Sequence, residues 1–234
     1  MILEDFSEYP EIIIGVSEKP DGNMKLGARE SKNNRERFFS NKKIPFTSVV
    51  SAGLVHGARV KIVGKKNRGK IVKGTDGLAT KDRGTILTVT VADCIPIYFY
   101  DQEKQVVAIA HGGWKGILAG IVLNTLTALE DNFKVNPKML RVLLGPGIQR
   151  CHYEIQNNVA EKFKMYPKAL FLKEKHYLDL FKVIRLQLVE KGLREENISV
   201  SGQCTYEDET RFFSYRRDKP KTVQAMVAFI GFRN

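Results

Sequence analysis

The sequence predicts a single mixed α/β domain, and three features support this prediction. Apolar strand-like runs alternate with amphipathic helix-like segments along the whole chain. Residues 106–144 follow the pattern strand, helix, strand, which is the spacing of a βαβ unit with a parallel pair of strands. The 234 residues contain no internal repeat, long linker or change of composition that would divide them. We therefore expect one domain over residues 1–234.

The first half of the chain predicts one helix followed by several strands. The helix lies within a polar and charged region, and the strand over residues 86–91 is a continuous β-branched run that is typical of a buried strand. The predicted elements are a helix over residues 31–40 and strands over 61–63, 86–91, 96–100 and 106–110.

The second half predicts three helices and two strands. Each longer helix carries an apolar stripe at helical spacing, and Gly192 closes the last of them. The elements are helices over 116–133, 157–165 and 178–191, and strands over 139–145 and 224–232. This arrangement places His111 at the carboxyl end of a strand and Lys115 at the amino end of the next helix. Ligands gather at that edge of open α/β sheets, and a helix amino terminus favours phosphate.

The chain is basic, with a formal net charge of +12. Its lysines and arginines are dispersed, and the two local clusters, residues 64–70 and 216–221, are not interleaved with aromatic residues as a single-strand groove would be. A solvated surface explains most of this charge, and attraction of an anionic or phosphate-bearing substrate is the second interpretation. We expect no nucleic-acid partner, although charge alone leaves a non-enzymatic nucleic-acid binder as an alternative.

The cysteines and the apolar runs indicate the compartment. Cys94, Cys151 and Cys204 are odd in number and widely spaced, so a disulfide framework is not expected and a reducing compartment fits better. The first twenty residues lack the pattern of a signal peptide, and no apolar run approaches the roughly 18 residues that span a bilayer. The prediction is a cytoplasmic protein that does not contact a membrane.

Two histidines and one cysteine are the candidate metal ligands: His56, Cys94 and His111. Each follows an apolar run where a turn begins, so the three side chains can meet at one cleft. Zn²⁺ prefers imidazole and thiolate, and three protein ligands with one open position are typical of a catalytic zinc site. The spacing is too wide for a local zinc knuckle, so a packed histidine or a buried thiol is an alternative for each. Asp93, beside the cysteine, either orients a ligand or caps a turn.

Six segments of the chain carry a resemblance to a known family, the YfiH/YlmD family, also called the laccase-domain or polyphenol oxidase family. The resemblance runs in the family's order from about residue 14 to about residue 230 and so covers nearly the whole chain. The segments are IGVS at 14–17, LVHG at 54–57, VADCIP at 91–96, HGGWKG at 111–116, GPGI at 145–148 with YEI at 153–155, and SYRRD at 214–218.

The resemblance implies a fold, a metal site and an activity. The fold is a mixed α/β sandwich of the YfiH-like type, and the family's zinc ligands correspond to His56, Cys94 and His111. The implied activity is phosphorolysis of purine nucleosides (adenosine, inosine and methylthioadenosine), with adenosine deamination beside it. Lys115 stands where the family usually has arginine and is the candidate phosphate-binding residue, since it keeps a point charge without the planar fork. Asp93 is the candidate proton-transfer residue.

Two alternatives draw on the same candidate side chains. The older family name implies a copper-dependent, laccase-like polyphenol oxidase, and a copper centre also uses two histidines and a cysteine. The chain has only four histidines, which leaves two for any further copper cluster. The other alternative is a metal-free cysteine hydrolase with Cys94 as nucleophile and His111 as base. The expected partners are a purine nucleoside and phosphate, and the sequence leaves open whether the protein is a monomer or a homodimer.

Overall fold

The computed structural model describes residues 8–233, which contain fourteen strands. Eleven of the strands form two mixed sheets, and three short strands form a small third sheet. In chain order the strands are β1 (Ile12–Val16), β2 (Val49–Gly53), β3 (Val60–Ile62), β4 (Ile71–Lys73), β5 (Gly77–Thr80), β6 (Ile86–Val91), β7 (Ile95–Asp101), β8 (Val106–Gly112), β9 (Arg141–Leu144), β10 (Glu154–Ile155), β11 (Leu170–Leu172), β12 (His176–Leu178), β13 (Ile198–Val200) and β14 (Met226–Phe232).

Six α-helices accompany these strands within the described residues. The predicted helices near residues 31–40 and 178–191 are confirmed, the second beginning after Asp179, whose side chain accepts a hydrogen bond from the backbone N–H of Lys182. None of the helices between residues 8 and 233 has the length and apolar character that crossing a bilayer requires. The helices are α1 (Ser31–Asn41), α2 (Trp114–Leu118), α3 (Ile121–Phe133), α4 (Asn157–Ala160), α5 (Leu180–Glu190) and α6 (Tyr215–Asp218).

The two large sheets pack face to face and are covered by helices on their outer faces. The five-stranded sheet has the order β1-β14-β6-β2-β4, and the six-stranded sheet has the order β13-β9-β7-β8-β5-β3. Strand β7 shows how the sequence produces these layers: Tyr98 belongs to the apolar cluster between the sheets, whereas Ile97 and Phe99 belong to the cluster beneath α3 and α5. Helix α1 covers the far side of the five-stranded sheet. The predicted single-domain α/β sandwich is confirmed, and its boundaries at 1 and 234 stay a prediction because both positions lie outside the described residues.

The prediction of a parallel strand pair around α3 needs a correction. Strands β8 and β9 run in the same direction, but β7 lies between them and pairs antiparallel with both. The crossover connection therefore passes over one intervening strand instead of joining neighbours. A short turn joins β7 and β8 into a hairpin, so β7 already occupies the position beside β8 before the chain continues into the helix.

The predicted helix over residues 116–133 is divided in two. Gly120 has φ +91°, in the left-handed region, and separates the short helix α2 from α3. The segment after His111 is thus a single five-residue turn of helix. A helix this short has few aligned peptide dipoles, so it attracts an anion less strongly than the start of a long helix would. What it offers a phosphate is the free backbone N–H groups of one turn.

Candidate metal centre

The predicted ligands lie at one edge of the sandwich because the chain crosses there twice from one large sheet to the other. Strands β2 and β6 are parallel neighbours in the five-stranded sheet, so both end at the same edge. From that edge the chain enters the six-stranded sheet through residues 54–59 and through residues 92–94. The first connection carries His56 and the second carries Cys94. Strand β8 ends at the same edge, because it is antiparallel to β7, and it places His111 there.

The three predicted ligands meet. One donor atom from each of His56, Cys94 and His111 lies within 4.8 Å of the other two. The two imidazole rings are nearly perpendicular, with centroids 4.9 Å apart. Zinc–nitrogen and zinc–sulfur bonds of about 2.0–2.3 Å put tetrahedral ligands about 3.3–3.8 Å apart, so small side-chain rotations bring this set to bonding geometry. The exposure of the three residues falls from His56, which is exposed, to His111, which is 3% exposed.

Gly113 leaves the space among these donors open. A Cβ atom at this position would lie 3.1 Å from Cys94 Sγ, 3.4 Å from His111 Cε1 and 3.5 Å from His56 Cδ2. The missing side chain therefore faces the point on which the three donors converge. Its φ of −83° is open to any residue, so the need for space, not backbone conformation, explains a glycine here.

Asp76 holds two of the ligand-bearing segments together. Its carboxylate is fully buried and accepts hydrogen bonds from the backbone N–H groups of Val55 (3.3 Å), His56 (2.8 Å) and Gly57 (2.9 Å). Its backbone carbonyl accepts the N–H of His111 at 2.8 Å. His56 has φ +58°, an uncommon conformation for a non-glycine residue, and these bonds fix it there.

Asp76 also faces the His111 ring. Its Oδ1 lies 3.5 Å from Nδ1, which has no well-aligned hydrogen bond within the described part of the chain. A small rotation of the ring would complete that bond. It would also leave Nε2 as the atom directed toward a metal, in the carboxylate–histidine–metal arrangement common at zinc sites.

The electrostatics of the site favour a thiolate beside an imidazolium. Burial raises the pKa of the Cys94 thiol, but His111 and His56 beside it outweigh burial and lower this pKa to about 6. Burial lowers the pKa of His111, and the Cys94 sulfur and the Asp76 carboxylate raise it to about 9. A divalent cation would take the place of the proton on the His111 ring beside the thiolate. The donor set, the space at Gly113 and the buried His111 nitrogen therefore fit a metal ion.

Asp93 is placed beside this site and is strongly held. It has φ +79° in the connection between β6 and β7. Thr205 Oγ1 donates a hydrogen bond to its Oδ1 at 2.8 Å, and the backbone N–H of Arg216 donates to its Oδ2 at 2.7 Å. The carboxylate thus joins the metal-site turn to the C-terminal segments of the chain.

A cleft of about 860 Å³ opens over the three donors. Lys25, Lys115 and Arg216 give it cationic groups, and Asp93, whose two oxygens already accept hydrogen bonds, is its one acidic lining residue among those described. Its other lining side chains are mostly apolar or aromatic. Lys115 is exposed and its Nζ lies 5.6 Å from the centroid of the Trp114 ring. The cleft is suited to a flat, partly apolar molecule together with an anion.

Sequence reasoning missed four residues of this site. Asp76 precedes a glycine, a pair that is typical of a turn, and only its burial identifies it as a clamp. Gly113 lies in the HGGWKG segment, but the sequence does not show that its missing side chain faces the donors. Tyr153 and Arg216 lie in the YEI and SYRRD segments, which assign them no role. Both line the cleft, with the guanidinium 5.3 Å from the tyrosine ring centroid. Their membership of two family segments is the signal that could have identified them. The sequence does not show that the two segments meet, because YEI and SYRRD lie far apart along the chain.

Comparison with known proteins identifies the family. The chain matches the family described as multi-copper polyphenol oxidoreductase laccase over residues 14–233. It is 33% identical over 238 residues to purine nucleoside phosphorylase YlmD of Bacillus subtilis, covering 94% of this chain and 85% of that protein. It is 33% identical over 228 residues to purine nucleoside phosphorylase YfiH of Escherichia coli, covering 92% and 89%.

Solved structures agree with this family. The crystal structure of YlmD from Geobacillus stearothermophilus superimposes with a TM-score of 0.91 at 32% identity, over 97% of this chain and 93% of that one. YfiH from Bacillus licheniformis gives a TM-score of 0.89 at 30% identity, over 99% and 96%. The resemblance noted in the sequence is confirmed. This chain belongs to the multi-copper polyphenol oxidoreductase laccase family and has the fold of YlmD and YfiH.

Proposed function

We propose that this protein is a zinc-dependent purine nucleoside phosphorylase acting on adenosine, inosine and methylthioadenosine, with adenosine deaminase activity at the same site. The observation that carries the proposal is the convergence of His56, Cys94 and His111 beneath a cleft with cationic lining residues. The names of the YlmD and YfiH relatives support the same reaction class. The proposed substrates are a purine nucleoside and phosphate.

The three donors would hold zinc, which supplies Lewis-acid chemistry in such sites. Lys115 is the proposed phosphate-binding residue, because its exposed ammonium lines the cleft. Arg216, which belongs to the SYRRD segment, adds a second positive charge to the lining of the cleft. Tyr215 is 56% exposed at the cleft and offers an aromatic face on which a purine base could stack. Phosphate and nucleoside would then be held together in a fixed orientation, which is a large part of catalysis for a two-substrate reaction.

Asp93 is the proposed proton-transfer residue. Its carboxylate lies in the cleft beside Cys94 and is fixed by Thr205 and by the Arg216 backbone, so it would act from a single orientation. Substitution of Asp93 by asparagine keeps an oxygen that can accept from Thr205 but removes the proton acceptor. We expect Asp93→Asn to lose turnover while it retains bound zinc. Full turnover in this variant would remove Asp93 from the mechanism.

The experiment that tests the proposal is nucleoside turnover by the zinc-loaded protein. With adenosine and phosphate we expect release of adenine and ribose phosphate, and without phosphate a smaller conversion to inosine. His56→Ala should lose both reactions together with the bound metal. His176→Ala is the matched control, since His176 lies on β12 and is not part of the metal cluster. If the zinc-loaded wild type forms neither adenine nor inosine, the proposal is wrong.

The same sample separates the two alternatives. A laccase-like enzyme would gain a strong visible absorption band and turn over phenols when it is loaded with copper. A cysteine hydrolase would act with no stoichiometric metal and would be inactivated by alkylation of Cys94. The lowered pKa of Cys94 suits a nucleophile as well as a metal ligand, so elemental analysis of the wild type and of Cys94→Ala decides between these chemistries.

A further inference from the structure

A second group of metal-ligating side chains lies apart from the cleft. Cys151, His152 and Cys204 each offer a donor atom within 4.8 Å of the other two. None of the three lines the cleft over His56, Cys94 and His111. Cys204 is buried, His152 is half-buried and Cys151 is exposed, so the group extends from the protein interior to the solvent.

Glu207 lies beside this group, next to two of its donors, and can serve as a fourth ligand. The distances from His152 Nδ1 are 3.1 Å to Cys151 Sγ, 3.8 Å to Cys204 Sγ and 3.7 Å to Glu207 Oε1. Cys151 Sγ lies 3.7 Å from the same glutamate oxygen. Ligands on a tetrahedral zinc ion are about 3.3–3.8 Å apart, and these four distances are close to that range. Small side-chain rotations would therefore bring the donors to bonding geometry.

The surroundings hold the donors in place. The ring of Tyr206 stacks on the His152 imidazole at a centroid distance of 4.3 Å with 13° between the planes. The backbone N–H of Gln149 donates to Cys204 Sγ at 3.5 Å, a contact that would stabilise a thiolate there. Glu207 is exposed, so it closes the group from the solvent side.

The group joins two segments that form the cleft. Gly147 and Cys204 form an isolated parallel bridge between these segments. Tyr153 follows the first pair of donors and lines the cleft. Thr205 follows Cys204 and donates the hydrogen bond to Asp93. A cation bound here would therefore fix the position of both segments beside the cleft.

We propose that Cys151, His152, Cys204 and Glu207 bind a second zinc ion in a closed, four-ligand structural site. Two thiolates, one imidazole and one carboxylate provide four protein ligands, which leaves no position for substrate, in contrast to the three-ligand site in the cleft. A disulfide between Cys151 and Cys204 would explain the two sulfurs, but not the approach of His152 Nδ1 to both of them or of Glu207 to Cys151. The proposal does not depend on the reaction catalysed in the cleft.

Metal counting on the whole chain tests this proposal. Protein stripped with a chelator, reloaded with zinc and freed of excess metal should retain two zinc ions per wild-type chain. Cys94→Ala should retain one ion and Cys204→Ala should retain one ion. Cys151→Ser, at an exposed position, gives the same test if Cys204→Ala fails to fold. Glu207→Gln should weaken the second site at least severalfold, whereas Glu209→Gln, an exposed acid in the same segment, should not.

Cobalt substitution identifies the ligands without an activity assay. In Cys94→Ala the second site is the one that should remain, so Co²⁺ should give an intense thiolate-to-cobalt charge-transfer band. That band should weaken sharply when Cys151→Ser is added, because only the Cys204 thiolate then remains. The proposal is overturned if Cys94→Ala retains no zinc and gives no such band. Recovery of Cys151 and Cys204 as a disulfide from protein prepared under reducing conditions would also overturn it.

Discussion

The substitution Asp76→Asn tests whether a buried carboxylate organises the metal centre. Asparagine has nearly the same shape as aspartate but carries one oxygen and one N–H₂ group. Asp76 Oδ1 accepts the N–H of His56 at 2.8 Å, and Oδ2 accepts the N–H of Gly57 at 2.9 Å. In the variant one of these two N–H groups must face another donor. The substitution also removes the negative charge next to His111 Nδ1.

The expected magnitudes follow from these contacts. Loss of one hydrogen bond to a charged group in a buried site costs about 1.5–3 kcal/mol of unfolding free energy. Removal of the carboxylate that orients a metal-binding histidine typically weakens metal binding about 10–100-fold. We therefore expect Asp76→Asn to be less stable than the wild type by about 2 kcal/mol and to bind zinc in the cleft about 10–100-fold more weakly.

Two measurements check this expectation. Urea unfolding of the metal-stripped proteins gives the change in unfolding free energy, and competition with a chromogenic chelator gives the zinc affinity. Asp82→Asn is the matched control, because Asp82 is bound by Arg68 at 2.7 Å at a distance from the cleft. The control should lose some stability and no zinc affinity. If Asp76→Asn binds zinc as tightly as the control does, Asp76 does not organise the site.

Three further outcomes are expected. Gly113→Ala should weaken zinc binding at least about tenfold, because the added Cβ would lie 3.1 Å from Cys94 Sγ. Gly64→Ala is the control and should not weaken it, because the nearest atom to its added Cβ is 4.0 Å away. Equal zinc affinities of the two variants would contradict this prediction. Lys115→Met should raise the Michaelis constant for phosphate about tenfold with unchanged zinc content, and an unchanged constant would remove Lys115 from phosphate binding. Burial raises the pKa of Asp82, but Thr85 and Arg68 outweigh it and hold this pKa below its ordinary value of 3.8. The ionised carboxylate therefore stabilises the fold above about pH 4 and loses this effect as pH falls through the lowered pKa. Asp82→Asn should cost about 1 kcal/mol at pH 7 and progressively less as the pH is lowered below about 4, by urea unfolding. A loss that does not change with pH would contradict the assignment.

Regular patterns in the sequence predicted the elements that depend on local residues. The β-branched run at β6 and the apolar stripe of α5 are confirmed as a strand and a helix, because burial of one face imposes those periods. The short strands β4 and β13 were not predicted, since three residues contain too little of a pattern. The division of the helix at Gly120 was also missed, because a left-handed residue inside an apolar stripe does not disturb the stripe.

The sequence by itself determined the family, the class of fold and three candidate ligands, because motifs and periodicity are local properties of the chain. Tertiary structure decided which residues meet. The order of strands in the two sheets brings Asp76 beneath His56 and His111, and the same packing brings Cys204 to Cys151 and His152. The spacing of residues along the chain predicts neither of these two groupings, because sheet pairing joins segments that are far apart in sequence. Physical proximity gives these side chains their chemistry, and only the folded chain supplies it.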